Sequence, residues 1–162
     1  MWCVEKGNVT IRPSKHDDVV YLSERLRKTD VDEIWAAVHL KPFEALVYSR
    51  KGSFLCQTVL HKTQPVAMFG VAPETTGAAV WFLASDDLDK MWLSFLKMSK
   101  MCIDRMLDES PLLFNWVDAR NERSIRWLKW CGAKIEKPAP FGPDQLPFHF
   151  FSIKRSDLCV SH

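Results

Sequence analysis

The chain has 162 residues, 47% of them hydrophobic and 26% charged, with a formal net charge of +2. That length and balance fit one globular domain with a sizeable core and exclude a disordered chain. A charge so close to neutral gives no footprint for nucleic acid or for an anionic membrane surface.

The opening MWCVEKGNVT has no charged head leading into an apolar core, so a secretory leader is not expected. No apolar run is long enough to cross a bilayer. Cys3, Cys56, Cys102, Cys131 and Cys159 are scattered and contain no C-x-x-C pair. They read as reduced thiols of a cytosolic compartment, which leaves the NVT sequon at Asn8 without meaning. The histidines (His16, His39, His61, His149 and His162) lack ligand spacing, and no metal is expected.

Along the chain, NVTIRP reads as a short strand stopped by Pro13, with Ser14 as a candidate N-cap for the helix KHDDVVYLSERLR. VDEIWAAVHL follows as a helix with Val31, Ile34, Trp35 and Val38 on one face, ended at Lys41 and Pro42. PFEALVYSR is a candidate third helix. The period then changes: SFLCQTVLH, VAMFGVAP and AAVWFLAS form a meander of three antiparallel strands with turns at KTQP and TTG.

From Asp87 the spacing is helical again, with Leu88, Met91, Trp92, Phe95, Ser99, Cys102, Ile103 and Met106 in one stripe. PLLFNWVDAR is the next strand, and a strand–helix–strand order implies a parallel crossover. NERSIRWLKWCG is a short helix with Asn121 as N-cap and Gly132 past its end. Trp127 and Trp130 on it read as core, or else as a partner surface. AKIEKP and PFHFFSIKR are the last strands, separated by the loop PAPFGPDQL, which as a true loop exposes Phe141. The whole is a single α/β domain over residues 1–162, ordered β-α-α-β-β-β-α-β-α-β-β, with residues 1–7 and 156–162 expected as terminal tails.

This order resembles the GNAT (Gcn5-related N-acetyltransferase) fold, most specifically in NWVDARNERSIRWLKWCGAKI, where Asn121, Ser124, Trp127, Leu128 and Gly132 carry the pattern. Taken together, VTIRPSKHDD, QPVAMFGVAP, VWFLASD, NWVDARNERSIRWLKWCGA and GPDQLPFHFFSI resemble the phage and prophage proteins grouped with internal virion protein A of short-tailed coliphages, themselves similar to GNAT proteins. The resemblance implies a phage origin, the cytoplasm of the bacterial host or the virion as location, and a central sheet whose two parallel strands splay apart. It also implies acetyl-CoA as cofactor, with the pantetheine arm pairing on a strand edge and the pyrophosphate on the amides of the next helix.

The matching segments are WFLAS and SDDLDKMW, so the implied cofactor contacts are Phe82, Leu83 and Ala84, the helix start at Leu88, Asp89 and Lys90, and Asn121. The second segment lacks the glycines of the family pattern Arg/Gln-x-x-Gly-x-Gly/Ala. It carries Asp86, Asp87 and Asp89, which would repel a pyrophosphate but suit a helix start. Trp116 and Leu128 stand where the family's glutamate and tyrosine acid–base pair would be, and neither moves a proton. Asp118 and Ser124 are the polar substitutes; as structural residues they would brace a turn and a close packing contact. Two functions follow: acetyl transfer from acetyl-CoA to an amine, or a GNAT-fold protein without that chemistry, acting in virion assembly or on a host protein.

Overall fold

The computed structural model describes residues 2–158. An eight-stranded sheet runs in the order β1-β2-β3-β4-β5-β6-β8-β7. Its strands are β1 (Val4–Lys6), β2 (Val9–Pro13), β3 (Leu55–His61), β4 (Gln64–Glu74), β5 (Gly77–Ala84), β6 (Leu113–Asp118), β7 (Lys134–Phe141) and β8 (Leu146–Ile153). Every neighbouring pair is antiparallel except β5 and β6, which are parallel because the long helix α4 (Trp92–Glu109) crosses between them.

Helices α1 (His16–Ser23), α2 (Lys28–Val38) and α3 (Pro42–Gly52) connect β2 to β3, and α1 and α3 pack on one face of the sheet. Val19, Leu22 and Leu46 meet Cys56 and Met68 there. On the other face α4 buries Phe95, Met98, Cys102, Ile103 and Met106 against Val59, Phe69 and Val71. Helix α5 (Glu122–Trp130) packs beside it, with Trp127 against the same core. Because both faces are covered, β3 and β4 are buried along most of their length; β4 reads as a nearly continuous apolar run, and β3 buries Gln57 and Thr58 among its apolar residues.

The meander, the crossover and α5 follow the sequence expectation: Asn121 caps α5, and Gly132 follows its end with φ +89°. Five local expectations change. Residues 4–6 are no tail, because Val4 and Lys6 pair with Ile11 and Val9. At the other end Arg155–Leu158 forms one helical turn, α6, and Leu158 packs on the core over Gly132; residues 159–162 lie outside the described part.

Ser14 is not the cap of α1. Lys15 holds that position, and its N–H donates to the buried Asp18 carboxylate at 2.8 Å. On α2 the inward face is Asp30, Ile34 and Ala36, whereas Trp35 and Val38 are 49% and 52% exposed. Finally, most of PAPFGPDQL is strand rather than loop. Pro138 and Pro140 sit on β7, the edge of the sheet, where a missing N–H costs no ladder bond. Phe141 is half-buried and stacks on Trp116 with ring centroids 4.6 Å apart. The tip of that hairpin folds onto α2, where a Cβ on Gly142 would lie 2.1 Å from the Ala36 carbonyl oxygen.

Candidate functional site

Strands β5 and β6 pair only through Ala78–Leu113 and Ala79–Phe114, then part. The backbone alternation of β5 shows what the open edge offers. Ser85 N–H bonds to Val66 on β4 at 2.9 Å, so the residues of β5 that face away from β4 are Ala78, Val80, Phe82 and Ala84. Ala78 N–H reaches Leu112 O at 2.9 Å. Val80 O accepts from the Asn115 side-chain amide at 2.9 Å, which fixes the base of the V.

Higher up, Ala84 is fully engaged. Its N–H donates to Asp30 Oδ2 at 2.9 Å, and its carbonyl accepts from Arg27 N–H at 2.8 Å. Leu83 turns its backbone groups to β4 and its side chain to the α1–α3 face. Among the three expected edge residues, Phe82 alone combines an outward peptide with the opened gap.

Asp30 is 3% exposed, and Arg27 grips both its oxygens at 3.0 to 3.2 Å. Burial pushes the Asp30 carboxyl upward, opposed by the Arg27 charge and by the bonds from Ala84 and Arg27.

The expected helix start is a 3-10 turn, Asp86–Met91, and α4 begins only at Trp92. Leu88 is fully buried under it. Lys90 pairs with Asp87 at 3.1 Å, and Asp89 pairs with Arg123, which holds the Asp89 carboxyl below its usual range. Arg123 also lies over the Trp92 ring, 4.3 Å from its centroid. The aspartates were expected to act as caps, yet no side chain makes a cap hydrogen bond at this turn. An anion there would face carboxylates whose nearby cations are already paired.

Across the V, Asp118, Asn121 and Ser124 do come together. Asp118 closes the strand–helix turn by accepting Arg120 N–H at 2.8 Å and pairing with the Arg120 guanidinium at 2.7 Å. Asn121 Oδ1 accepts Ser124 N–H at 3.3 Å, the cap of α5. Its Nδ2 donates at 2.8 Å to a residue that sequence reading did not select, Glu33 on α2. The Asp118 backbone amide also favours the ionised form of this carboxyl. Burial, then the neighbouring Asp30 and Asp118 charges, push Glu33 from 4.5 up to about 7, against the pull of these two donors. The signal for it lay in the helix period: residues 30, 33, 34 and 37 share a face, and that face carries two acids.

Glu33, Val38, Phe82, Asn115 and Ser124 help to line a mainly apolar cavity of about 290 Å³ at the gap. It draws side chains from both faces of the sheet, since Phe82 packs with the α4 layer and Trp81 with the α1–α3 layer. On the α4 side Phe82, Phe95 and Trp127 form a closed trio with centroids 5.1 to 5.5 Å apart, and Trp127 N–H donates to Ser99 Oγ at 3.0 Å. Trp116 and Leu128 line it as well. Among the described residues no group of three potential metal ligands occurs, and no helix is long and apolar enough to cross a membrane.

An eight-stranded mixed sheet with one parallel, splayed pair is the GNAT fold, and solved structures bear this out. The chain superposes on a GNAT-family acetyltransferase from Bacillus anthracis with a TM-score of 0.71 at 12% identity, covering 96% of this chain and 99% of that one. It superposes on a ribosomal-protein-S5-alanine acetyltransferase from Vibrio fischeri with a TM-score of 0.66 at 15% identity, covering 97% and 98%. A third match is AAC(6')-Ib in complex with ribostamycin and coenzyme A, with a TM-score of 0.67 at 15% identity and coverage of 96% and 98%. At these identities the likeness is one of fold. By sequence, residues 56–138 match a phage family model, and the chain belongs to the family described as "Bacteriophage T7, probable scaffold protein Gp13". No curated protein matches it by sequence.

The coenzyme that the fold implies does not fit this edge as it stands. An arm pairing along β5 at Phe82 and Ala84, as the resemblance implies, would meet Ala84 groups that already bond to Arg27 and Asp30.

Proposed function

We propose that this chain is a GNAT-fold phage protein that acts by binding, in virion assembly or on a host protein, and holds no acetyl-CoA at the family's edge. The observation that carries this reading is the pair of hydrogen bonds at Ala84, whose N–H donates to Asp30 Oδ2 and whose carbonyl accepts from Arg27 N–H. The acidic 3-10 turn and the membership of a phage scaffold family support it. Partner contact would draw on the aromatic side chains that α2 and α3 leave in solvent, Trp35, Phe43 and Tyr48, the last 75% exposed. Host cytoplasm and precursor particles are the places where such a protein would act.

A second reading, acetyl transfer from acetyl-CoA to an amine, has one observation in its favour. Glu33 lines the gap with a carboxyl that exchanges its proton near neutral pH.

Calorimetric and thermal-shift titration with acetyl-CoA and with CoA separates the two. A ligand at a hundred times its Kd stabilises a protein by about 2.7 kcal/mol. The binding reading expects no heat and no change in melting temperature. Saturable one-to-one binding would overturn it. Sedimentation with phage precursor particles tests the assembly role: stoichiometric co-sedimentation is expected, and absence from particles would direct attention to a host partner.

A further inference from the structure

The outer face of α4 and α5 is a ridge of cations. Leu93, Lys97, Lys100 and Asp104 recur at helical spacing and are all exposed, so they form one outward row on α4. Arg126, Lys129 and Trp130 form the exposed row of α5. The helices lie side by side and point the same way: Arg123 sits over the Trp92 ring, Trp127 bonds to Ser99, and Lys100 Nζ lies 4.2 Å from the Trp130 ring centroid. The two rows therefore join. Lys97, Lys100, Arg126 and Lys129 run along them, with Leu93 74% exposed at the start and Trp130 50% exposed beside Lys100.

The charges at the two ends of the ridge are matched. Lys90 pairs with Asp87 and Arg123 with Asp89 at the start, and Arg155 pairs with Asp104 and Asp108 at the finish. Among the described residues the four central cations make no ion pair and no side-chain hydrogen bond; Lys100 alone has a partner, the Trp130 ring. Helix α4 offers no acid before Asp104, and α5 offers only Glu122. Four cations against one acid, in a chain whose net charge is +2, make a local positive field that favours an anionic partner.

We propose that this ridge docks an acidic segment of a protein partner, with its carboxylates on Lys97, Lys100, Arg126 and Lys129 and its apolar side chains on Leu93 and Trp130. The inference rests on the binding reading above and names the chemistry of one partner. From Leu93 to Lys100 the ridge is about 10 Å long, or two turns of helix, so a short segment covers it. The acids at both ends, in the Asp86–Met91 turn and at Asp104 and Asp108, repel a longer run of carboxylates and so set the register. They oppose the continuous phosphates of a nucleic acid in the same way. Leu93 offers nothing to a phosphate, and Lys100 already covers the Trp130 ring on which a base would stack.

The experiment titrates the intact chain, without coenzyme, with poly-L-glutamate, with a glutamate–tyrosine copolymer, and with single- and double-stranded DNA. NMR follows the Trp130 indole N–H and the Lys97 and Arg126 amides. The expected result is saturable movement of these resonances, tighter with the copolymer than with poly-L-glutamate and weakened by salt. Lys97→Glu combined with Arg126→Glu lowers affinity by about tenfold or more, and Leu93→Ser lowers it severalfold. Lys51→Glu, at an exposed cation on α3, leaves it unchanged. These side chains are exposed, and thermal melts verify that the variants stay folded. Equal affinity for the two polymers, movement centred on other residues, an unaffected double variant, or tighter binding of either DNA at the same salt would overturn the proposal. Acetyl-CoA binding, read separately at Ala84, would overturn the functional reading and leave these outcomes in place, so the two fail independently.

Discussion

The two carboxyls that α2 turns inward, Asp30 toward β5 and Glu33 toward the β6–α5 corner, make an instructive pair. At the β5 end a carboxylate buried to 3% exposure is matched by a contacting arginine and a backbone amide. At the β6 end Glu33 on the same helix accepts from the Asn121 side-chain amide, and Arg120, which feels its charge, is bonded to Asp118. Both bridge helix to sheet, and both cost desolvation. An ionic partner makes the first anchor strong but unforgiving to truncation, whereas at the second burial outweighs the neutral donor and pushes the Glu33 carboxyl up to about 7. The same functional group is therefore held by a contacting guanidinium in one place and by a neutral side-chain amide in the other.

Several substitutions would break or sharpen that contrast. The largest effect is expected from Asp30→Ala, which strands the buried Arg27 charge and the Ala84 amide. A loss of about 3–5 kcal/mol in urea unfolding is predicted, and a loss under 1 would mean that the clamp is ornamental. Removing the Trp127 ring from its contacts with Phe82 and Phe95 is expected to cost about 3–5 kcal/mol without altering the titration of Glu33, because it packs the opposite face of β5 from Trp81.

Glu33→Gln should act in the other direction. At pH 8 it removes an ionised, poorly compensated carboxylate and is predicted to stabilise by about 1–3 kcal/mol, with little gain at pH 5, where Glu33 is already neutral. Destabilisation at both pH values would contradict a raised Glu33. Asn121→Ala removes the α5 cap together with a Glu33 donor, and about 1 kcal/mol is expected from the cap. Smallest is Asp89→Asn. Its pair with Arg123 is exposed, so a change below about 0.5 kcal/mol is predicted in thermal melts.

Much of this architecture can be read from the chain. The shift from helical to alternating period placed β3, β4 and β5, the strand–helix–strand order required the parallel pair, and Asn121 with Gly132 bracketed α5, because these signals depend on local backbone chemistry. The stripe on α4 was legible for the same reason, apart from its first turn, where DDLDKM winds as a 3-10 turn.

The site was less legible. A helix face containing Asp30 and Glu33 scores as polar, so the apolar Trp35 and Val38 drew the predicted stripe to the wrong side. Asp30 meets the free edge of a strand 54 residues away and Glu33 a helix cap 88 residues away, partners no local window contains. Likewise Pro138 and Pro140 signal a loop unless one knows that β7 is an edge strand.

The Ala84 amide reports most directly on whether α2 occupies the edge of the splayed sheet. Its hydrogen exchange can be followed by NMR in the wild-type chain, with and without saturating acetyl-CoA, and in Asp30→Asn. Protection close to that of the β4 core, unmoved by acetyl-CoA and lost in the variant, is the predicted result. An Ala84 amide that exchanges freely in the wild type, or one whose resonance shifts saturably with acetyl-CoA together with that of Phe82, would contradict it.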